Sequence, residues 1–400
     1  MRCRLRFAYV ESDSGPVLIQ IKLMKIVIDD KIPLIQGVLE KHATVVYQSG
    51  AKINNQLVKD ADALIIRTRT ECSEDLFENS SVKFIATATI GHDHIDKKFC
   101  KTAGIIWKNA PGCNAVSVEQ YIGTALLCLA EKNQFQLKDK VLGIVGVGHT
   151  GSKVARIAKI LGMKVLLNDP PRERNENSNA FVSLDTIKKE SDFITFHVPL
   201  NKKGVDQTLK MVNTSFLNNL PRKPWLLNCS RGPVIDNQDL KNAMKKGLVS
   251  GAVLDVWENE PGIDLELMNL CQIATPHIAG YSLDGKSGGT TRSVQAISQF
   301  FNLGINDWTP DSILKPEQPE IEMDCQNRSD QEIIHRAMTY SYNILKDDSR
   351  LRQSPETFEY QRGNYPLRRE YPVYTLILKN NKKSTVETLR QIGFQVKEKK

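Results

Sequence analysis

Short apolar runs alternate with helical patterns along most of the chain. The runs of the first part predict strands at 25–28, 44–47, 63–66 and 84–86, with a helix near 34–41. A later series predicts six strands, at 141–145, 164–168, 193–196, 225–228, 252–256 and 272–274. Strands that alternate with helices form parallel sheets covered by helices on both faces. The pattern therefore predicts an α/β protein with two lobes, each built on a doubly wound parallel sheet.

Two longer helical patterns, at 115–131 and 286–302, connect the lobes and make the first lobe discontinuous in sequence. Several prolines from Pro310 onward mark a linker, and a small α+β segment follows. Within it, Ser329 with Glu332, and Ser384 with Glu387, have the spacing of helix capping boxes. The predicted domains are 24–116 with 286–309, then 117–285, then 310–400. Basic and aromatic residues at 350–374 indicate either a solvated face or a contact surface.

Residues 1–23 are first basic and then acidic, with no apolar run followed by a small-residue cleavage site. A secretory signal is therefore not expected. Met24 lies directly before the first strand of the series. We expect Met24 to be the natural start and residues 1–23 to be an N-terminal extension.

A glycine-rich turn follows the apolar run at 141–145. Gly146, Gly148 and Gly151 have the G-x-G-x-x-G spacing that lets the backbone approach a pyrophosphate at a helix N-terminus. The next predicted strand ends at Asp169, near the position of the acid that binds a ribose in such folds. A carboxylate there favours NAD over NADP, although Arg172 lies nearby. This region is predicted to bind NAD.

Composition narrows the function further. The 400 residues exceed what one core supports, and the net charge of +8 is spread along the chain, which suits an anionic substrate better than nucleic acid. The eight cysteines contain no C-x-x-C pair, which indicates reduced thiols in the cytoplasm and neither disulfides nor zinc. The longest apolar run, 121–130, is too short to span a membrane, and no membrane role is expected.

Three predicted strand ends of the second lobe carry candidate chemistry: NCSRG at 228–232, DVWENEP at 255–261 and TPHIAGY at 275–281. Oxidation of a hydroxy acid by NAD needs a base for the hydroxyl proton and a cation for the carboxylate. Arg231 can hold a carboxylate through two hydrogen bonds, His277 can accept the proton, and Glu260 can orient the imidazole. Singly, each has an ordinary structural explanation; together they predict an active site.

The first lobe offers candidate anion contacts at residues 67–70 (RTRT), after one predicted strand. Arg67 and Thr68 there can bind a carboxylate or phosphate, although a solvated loop explains the composition equally well. His92, His94 and Asp96 resemble metal ligands by type. Their spacing fits no zinc motif, so we predict a turn and helix cap and no metal site.

The order and context of Arg231, Glu260 and His277 resemble the D-isomer-specific 2-hydroxyacid dehydrogenases. Supporting stretches are TATIGHDHID at 87–96, APGCNA at 110–115, GIVGVG at 143–148, TFH at 195–197 and GYSLDGK at 280–286. The similarity runs from Met24 to the C-terminus. It implies a Rossmann NAD-binding domain, a flavodoxin-like substrate domain and, after Pro310, a dimerisation domain that makes the protein a homodimer.

The resemblance also implies site residues. Arg231, Glu260 and His277 would be catalytic, and the substrate contacts would be Thr68, Thr89 and Tyr281. The residues implied to bind NAD are His149, Thr150, Asp169, Val198, Cys229, Ser230, Arg231, Asp255 and Gly280. Thr68 stands where a serine is common, and Val198 where a threonine is common, which removes one polar contact to the cofactor.

The resemblance is strongest to the branch of the family that oxidises 4-phospho-D-erythronate with NAD in vitamin B6 biosynthesis. Arg67 is then a candidate for holding the distal phosphate. Two alternatives stay open: another D-2-hydroxyacid dehydrogenase, such as one acting on 3-phosphoglycerate, and a non-enzymatic NAD(H)-sensing binding protein. The C-terminal segment argues against the first, because it shows no β-α-β-β-α-β pattern.

Overall fold

The structure, a computed structural model, describes residues 6–12, 15–21 and 24–399. Contacts within the chain divide it into two compact units. The first unit is Met1–Cys113 with Gly285–Ile313, and the second is Asn114–Asp284 with Leu314–Lys400. Both carry parallel sheets with helices between the strands, so the predicted α/β fold is confirmed. The domain boundaries stay predictions.

The first unit contains an antiparallel strand pair and a five-stranded parallel sheet of order β4-β3-β5-β6-β7. Its strands are β1 (Arg6–Ser12), β2 (Gly15–Ile21), β3 (Lys25–Asp29), β4 (Thr44–Gln48), β5 (Ala63–Ile66), β6 (Phe84–Thr87) and β7 (Ile106–Lys108). Its helices are α1 (Asn55–Val58), α2 (Glu74–Phe77), α3 (Lys97–Thr102) and the 3-10 turn Gly50–Lys52, and α11 (Leu283–Phe301) returns the chain to this unit.

The helix predicted near 34–41 is wrong, because this segment forms successive turns. Leu34 and Gly37 have φ angles of 62° and 83°, in the left-handed region that interrupts a right-handed helix. Ile35 and Leu39 are nevertheless buried in the core beside β3. The helical spacing of apolar residues therefore arises from turns that bury the same side chains.

The second unit contains a six-stranded parallel sheet of order β13-β12-β11-β10-β8-β9. Its strands are β8 (Val141–Val145), β9 (Lys164–Asn168), β10 (Phe193–Phe196), β11 (Trp225–Asn228), β12 (Gly251–Leu254) and β13 (Ile273–Ala274). Its helices are α4 (Ala115–Lys132), α5 (His149–Ile160), α6 (Pro170–Glu176), α7 (Leu184–Glu190), α8 (Thr214–Leu217), α9 (Asn237–Lys245) and α10 (Leu265–Leu270), with 3-10 turns at Leu137–Asp139 and Gly232–Val234.

The C-terminal part of this unit adds a three-stranded parallel sheet of order β14-β15-β16. Its elements are β14 (Glu320–Asp324), α12 (Asp330–Ser341), α13 (Ile344–Gln353), α14 (Phe358–Gly363), β15 (Thr375–Lys379), α15 (Lys383–Ile392) and β16 (Gln395–Glu398), with 3-10 turns at Pro355–Thr357 and Tyr371–Val373. The capping box of Ser329 and Glu332 is confirmed. The second predicted box is wrong, because α15 begins at Lys383 and the Ser384 hydroxyl bonds to Asp330.

The C-terminal part shares one hydrophobic core with the six-stranded sheet, because apolar residues of α12 and β15 cluster with those of α4 and β8. In the basic and aromatic stretch, Arg368, Arg369 and Tyr371 are 4%, 7% and 1% exposed. These residues form part of the interior of the second unit, so the stretch is not simply a solvated face. Among the described residues, no helix is both long enough and apolar enough to cross a bilayer.

Candidate active site

The glycine turn after β8 has the geometry of a phosphate-binding loop. Gly146 has φ of +87°, and a Cβ atom there would lie 2.7 Å from the carbonyl oxygen of His197. A Cβ on Gly151 would lie 2.0 Å from the Gly146 oxygen, so α5 packs closely on the turn. At Gly148, no heavy atom lies within 4 Å of the ideal Cβ position. The turn and the N-terminus of α5 at His149 and Thr150 therefore fit a dinucleotide pyrophosphate.

Asp169 follows β9 and caps α6. One carboxylate oxygen accepts the Val147 amide at 2.8 Å, and the other accepts the Arg172 amide at 3.0 Å. Each carboxylate oxygen has a further lone pair that a ribose hydroxyl can use. The Arg172 side chain pairs with Glu176 and donates to the Val147 carbonyl oxygen. The charge of Arg172 is thus already paired with Glu176, which leaves it less suited to binding a 2′-phosphate. The structure therefore favours NAD over NADP more strongly than the sequence does.

The end of β10 lies against the glycine turn. The Val198 side chain would contact a Cβ at Gly146, and it offers no polar atom there. His197 shares a hydrogen bond of 2.9 Å between its Nε2 and the Thr195 hydroxyl. Burial lowers the pKa of His197 to about 3, so this imidazole stays neutral and acts as a structural neighbour of the loop.

The loop after β11 is fixed by the Asn228 side chain. Its oxygen accepts both the amide and the hydroxyl of Ser230, at 3.0 and 2.8 Å, and its nitrogen donates to the Arg231 carbonyl oxygen at 3.0 Å. Arg231 also donates through Nη1 to the Ser230 carbonyl oxygen at 2.7 Å. Burial and nearby Asp255 raise the pKa of Cys229, so its thiol stays protonated.

The loops after β11 and β12 touch directly. A Cβ on Gly232 would lie 1.9 Å from the Trp257 carbonyl oxygen, so only glycine fits beside that backbone. The contact brings the loop that carries Arg231 against the loop that carries Glu260. Two of the three predicted catalytic residues therefore stand on adjoining loops of the same sheet.

A hydrogen bond between His277 and Glu260 connects the loop after β13 to the loop after β12. The imidazole Nδ1 lies 2.8 Å from Glu260 Oε2, and the other carboxylate oxygen accepts the Trp257 amide at 2.9 Å. Burial by itself raises the pKa of Glu260, but His277, its hydrogen bonds and nearby Arg362 together lower it below its ordinary value. Glu260 is therefore ionised at neutral pH. Since Nδ1 faces Glu260, Nε2 is the nitrogen that points away from this carboxylate.

Asp255 holds the backbone around His277. Its carboxylate accepts the Thr275 hydroxyl at 2.7 Å and the amides of Ile278 and Ala279 at 2.7 and 2.9 Å. Its carbonyl oxygen accepts the His277 amide at 2.7 Å. Burial raises the pKa of Asp255, against the opposing effect of His277 and these hydrogen bonds. This backbone role was not foreseen from the sequence, which suggested only a contact to NAD.

Gly280 and Tyr281 follow on the same loop. A Cβ on Gly280 would lie 2.1 Å from the Asn114 side-chain nitrogen, so a larger residue there would require the Asn114 side chain to move. The Tyr281 ring meets Tyr365 edge-on at 5.7 Å between centroids, and the Arg362 guanidinium carbon lies 6.0 Å from its centre. The loop is thus built against the C-terminal part of the second unit.

The first unit holds the remaining candidates at the ends of neighbouring strands. Arg67, after β5, donates through Nε and Nη2 to the buried carboxylate of Asp29, both at 3.0 Å. Thr68 is exposed, and the Thr89 hydroxyl, after β6, donates to the Gly91 carbonyl oxygen at 2.8 Å. Asp29 therefore fixes the orientation of Arg67.

Lys286 is a cation of this unit that the sequence did not single out. It lies in the first turn of α11, and burial together with Arg67 lowers its pKa to about 8. Gly289, one turn further along α11, lies so close to the Ala88 carbonyl oxygen that a Cβ would stand 2.4 Å away. The start of α11 therefore packs beside the strand-end loop that carries Thr89.

In the segment 92–96, the predicted turn and helix cap are confirmed. Asp96 caps α3 by accepting the Phe99 amide at 3.0 Å. The His94 Nε2 lies 3.2 Å from the Thr87 hydroxyl and is buried. Within residues 6–12, 15–21 and 24–399, no group of histidine, cysteine, aspartate and glutamate has the arrangement of a metal site.

Comparison with known proteins defines the class. Residues 128–279 match the family described as D-isomer specific 2-hydroxyacid dehydrogenase, NAD binding domain, and residues 314–393 match a domain of unknown function. The structure of D-lactate dehydrogenase from Aquifex aeolicus, complexed with NAD and lactic acid, has a TM-score of 0.59 and 27% identity, and the match covers 70% of this chain and 96% of that one. These matches and the site define an NAD-dependent dehydrogenase of the D-2-hydroxyacid type.

Sequence relatives narrow the class. Erythronate-4-phosphate dehydrogenase of Bacteroides thetaiotaomicron is 49% identical over 356 residues, which are 88% of this chain and 99% of that protein. The protein of the same name from Porphyromonas gingivalis is 40% identical over 88% of this chain and 95% of its own. The chain belongs to the erythronate-4-phosphate dehydrogenase family, and it is an NAD-dependent oxidoreductase.

Proposed function

We propose that the chain oxidises 4-phospho-D-erythronate to (R)-3-hydroxy-2-oxo-4-phosphooxybutanoate with NAD, a step of pyridoxine 5′-phosphate (vitamin B6) biosynthesis. The observation that carries the proposal is the 2.8 Å contact between His277 and Glu260. It stands on a strand-end loop of an NAD-binding sheet, where a general base is needed. The names of the relatives indicate the substrate.

His277 accepts the proton of the substrate hydroxyl at Nε2 as the carbonyl forms. Glu260 orients the imidazole and stabilises the charge that it gains. Arg231 binds the substrate carboxylate, which fixes the reacting carbon. Bound NAD supplies the acceptor for the hydride that leaves this carbon.

For the cofactor, we propose that the glycine turn and the start of α5 bind the pyrophosphate and that Asp169 binds the adenosine ribose. The further residues proposed to line the NAD site are Val198, Cys229, Ser230, Arg231, Asp255 and Gly280. Asp255 acts there chiefly through the loop backbone that it holds, since its carboxylate already accepts three hydrogen bonds.

For the substrate, we propose contacts from Thr68, Thr89 and Tyr281, with Arg67 on the phosphate. Arg67 is supported by its strand-end position and by Asp29, which holds its guanidinium in one orientation. Lys286 adds positive charge near Arg67. Such a cluster favours the doubly charged phosphate over a neutral hydroxymethyl group.

A turnover assay separates this function from its alternatives. The purified protein with NAD is given 4-phospho-D-erythronate or 3-phosphoglycerate, and formation of NADH is followed by absorbance. A parallel reaction contains a 2-oxo acid, which reoxidises any NADH that stays bound, and its turnover is followed by chromatography of the oxidised substrate. We expect turnover with the first substrate only. Equal or greater turnover with 3-phosphoglycerate would indicate another hydroxyacid dehydrogenase, and cofactor binding without turnover would indicate an NAD(H)-sensing protein.

We also propose a cytoplasmic homodimer formed through residues 310–400. Large exposed apolar side chains in this region support the interface: Leu314, Leu345, Tyr360 and Leu367. The seven described cysteines are free, which suits a reducing compartment. Light scattering of the wild type and of a Tyr360→Glu variant tests the interface, and a monomeric wild type would contradict it.

Residues 1–23 are proposed to be dispensable. Where the structure describes them, β1 and β2 pair with each other. A chain that begins at Met24 is expected to keep wild-type turnover and thermal stability, measured side by side with the full chain. A large loss of either property would refute this proposal.

A further inference from the structure

The peptide groups that follow His277 are held from two sides. On one side, the Asp255 carboxylate accepts the amides of Ile278 and Ala279. On the other side, Arg368 donates through Nη1 to the carbonyl oxygens of the same two residues, at 3.4 and 3.2 Å. Arg368 lies ninety residues further along the chain, in the C-terminal part of the second unit. The backbone after His277 is therefore fixed by a carboxylate and a guanidinium together.

Arg368 is itself held firmly. It is 4% exposed, its Nε donates to the Gln120 side-chain oxygen at 2.8 Å, and its Nη2 donates to the Ser117 carbonyl oxygen. Its guanidinium carbon lies 3.6 Å from the centre of the Tyr342 ring, a cation–π contact. A planar guanidinium with these partners presents its donors in one fixed orientation.

The two residues after Arg368 hold the far end of the same loop. Arg369 donates through Nε and Nη2 to the Asp284 carboxylate, both at 2.9 Å, and the Glu370 amide donates to it at 2.9 Å. The Leu283 amide donates to the Arg368 carbonyl oxygen at 2.8 Å. Residues 368–370 therefore bind the loop near its start and at its end.

The backbone of His277 needs such support. Its φ angle is +56°, in the left-handed region that residues other than glycine seldom adopt. Conformations of this kind persist only where the surroundings fix them. The imidazole must also stay within hydrogen-bond distance of Glu260, so a small movement of the backbone breaks the pair.

We propose that Arg368 is a positioning residue for proton transfer. By holding the carbonyl groups of Ile278 and Ala279, it keeps His277 in contact with Glu260 and directed at the substrate. The inference rests on the proposed function, in which His277 accepts the hydroxyl proton. The C-terminal part of the chain then contributes to catalysis by positioning His277, in addition to any role in association between copies of the chain.

The test compares Arg368→Lys and Arg368→Met with a matched control, Arg352→Met. Arg352 also donates to two backbone carbonyl oxygens beside the nucleotide-binding sheet, those of Met268 and Cys271, at 2.9 and 2.8 Å. The measurements are NAD affinity by fluorescence titration, kcat and KM for 4-phospho-D-erythronate, and the isotope effect on kcat with substrate deuterated at C2. The Nδ1 proton resonance of His277 is recorded by NMR, since it reports the bond to Glu260 without substrate.

In both Arg368 variants we expect kcat to fall about ten- to a hundredfold, because a displaced base slows the chemical step. The isotope effect should rise, the Nδ1 resonance should be lost or shifted, and NAD affinity should be retained. The Arg352→Met control should keep wild-type kcat, isotope effect and resonance even if it melts at a lower temperature. If Arg368→Met fails to fold and bind NAD, the measurements on Arg368→Lys alone decide whether Arg368 is a positioning residue.

Wild-type kcat and resonance in Arg368→Lys would overturn the proposal, and so would equal losses in the Arg352→Met control. Absence of turnover in the wild type has a different meaning, because it refutes the proposed substrate. The Nδ1 resonance then decides the role of Arg368 by itself: loss in the Arg368 variants supports the role, and an unchanged signal refutes it.

Discussion

The strand-end loops of the two parallel sheets differ in how their charges are arranged. In the second unit, the His277 imidazole lies within hydrogen-bond distance of the Glu260 carboxylate, and Asp255 holds the backbone of the loop that carries His277. In the first unit, Arg67 pairs with the buried Asp29 carboxylate, while burial and Arg67 together lower the pKa of Lys286. Hydrogen bonds hold the groups of the second unit in one orientation, whereas a buried lysine beside an arginine is stabilised in its charged form when an anion binds nearby.

This difference indicates that the two units have different proposed roles. In the second unit, protein side chains orient His277, the proposed base, which is a condition for efficient general base catalysis. The first unit brings two cations close together, Arg67 after β5 and Lys286 in the first turn of α11, and a bound phosphate would stabilise the charge of Lys286. Under the proposed function, chemistry and recognition of the anion depend on separate sheets, and variants are expected to affect one without the other.

The largest effect is expected from loss of the base. His277→Asn should lower kcat by about a hundred- to ten-thousandfold, since a positioned general base contributes that much. NAD binding, measured by fluorescence, should persist. His335 offers a matched control, because its Nδ1 also lies beside a glutamate carboxylate, that of Glu131, at 2.7 Å. Both residues are far in sequence from the proposed active-site loops. His335→Asn with the same loss of kcat would show that the effect is structural.

Substitution of Arg67 tests recognition of the substrate phosphate separately from the chemical step. Arg67→Ala should raise KM for 4-phospho-D-erythronate by about ten- to a hundredfold, the value of a charge-assisted hydrogen bond, and affect unphosphorylated D-erythronate far less. The measurement is the ratio of kcat/KM for the two substrates. Arg67→Lys keeps the charge beside buried Asp29 and should fall between the alanine variant and the wild type. An equal loss of kcat/KM for both substrates would contradict the role of Arg67 in binding the phosphate.

Lys286 gives a smaller effect that depends on pH. Its pKa of about 8 means that it loses its charge as pH rises through that value. We therefore expect KM for the phosphorylated substrate to increase severalfold between about pH 7 and 9, by loss of one charge interaction. Lys286→Arg stays protonated and should flatten the profile. A wild-type KM independent of pH across this range would contradict the assignment.

The smallest effect concerns the stability of the paired loops. The pKa of Glu260 is lowered in the folded chain, so its ionised form stabilises the fold above the ordinary glutamate pKa, and this contribution is lost as pH falls through the lowered value. Glu260→Gln should lower the unfolding free energy by about 1 to 3 kcal/mol at neutral pH. Denaturant titrations should show the difference shrinking in acid. A difference that is constant with pH would mean that the charge is not responsible.

Local patterns predicted much of this molecule. Apolar runs located all six strands of the larger sheet and four of the five strands of the first-unit sheet, and the glycine spacing located the turn after β8, because these features depend on residues close in sequence. The short strand β7 (Ile106–Lys108) was missed. The order of Arg231, Glu260 and His277 at strand ends followed from the rule that parallel strands end at one edge of a sheet. The helix near 34–41 was wrong, because periodicity cannot distinguish a helix from turns that bury the same residues.

Contacts between distant residues were not predictable. Nothing near Arg368 indicates that its side chain reaches the carbonyl groups after His277, since the partners are about ninety residues apart. Asp255 was recognised as a strand-end acid, but its hydrogen bonds to Ile278 and Ala279 depend on how two loops meet. Lys286 was visible within a recognised stretch, and only burial beside Arg67 gives it an unusual pKa.

The central claim is that His277, paired with Glu260, accepts the hydroxyl proton while the substrate is oxidised. A single-turnover measurement tests it most directly, because it does not depend on release of NADH. Excess protein with bound NAD is mixed rapidly with 4-phospho-D-erythronate, and NADH absorbance is followed in the wild type and in His277→Asn. The account predicts a rapid rise in the wild type and a rise slowed at least a hundredfold in the variant. Equal rates in the two proteins, with NAD bound to both, would contradict it.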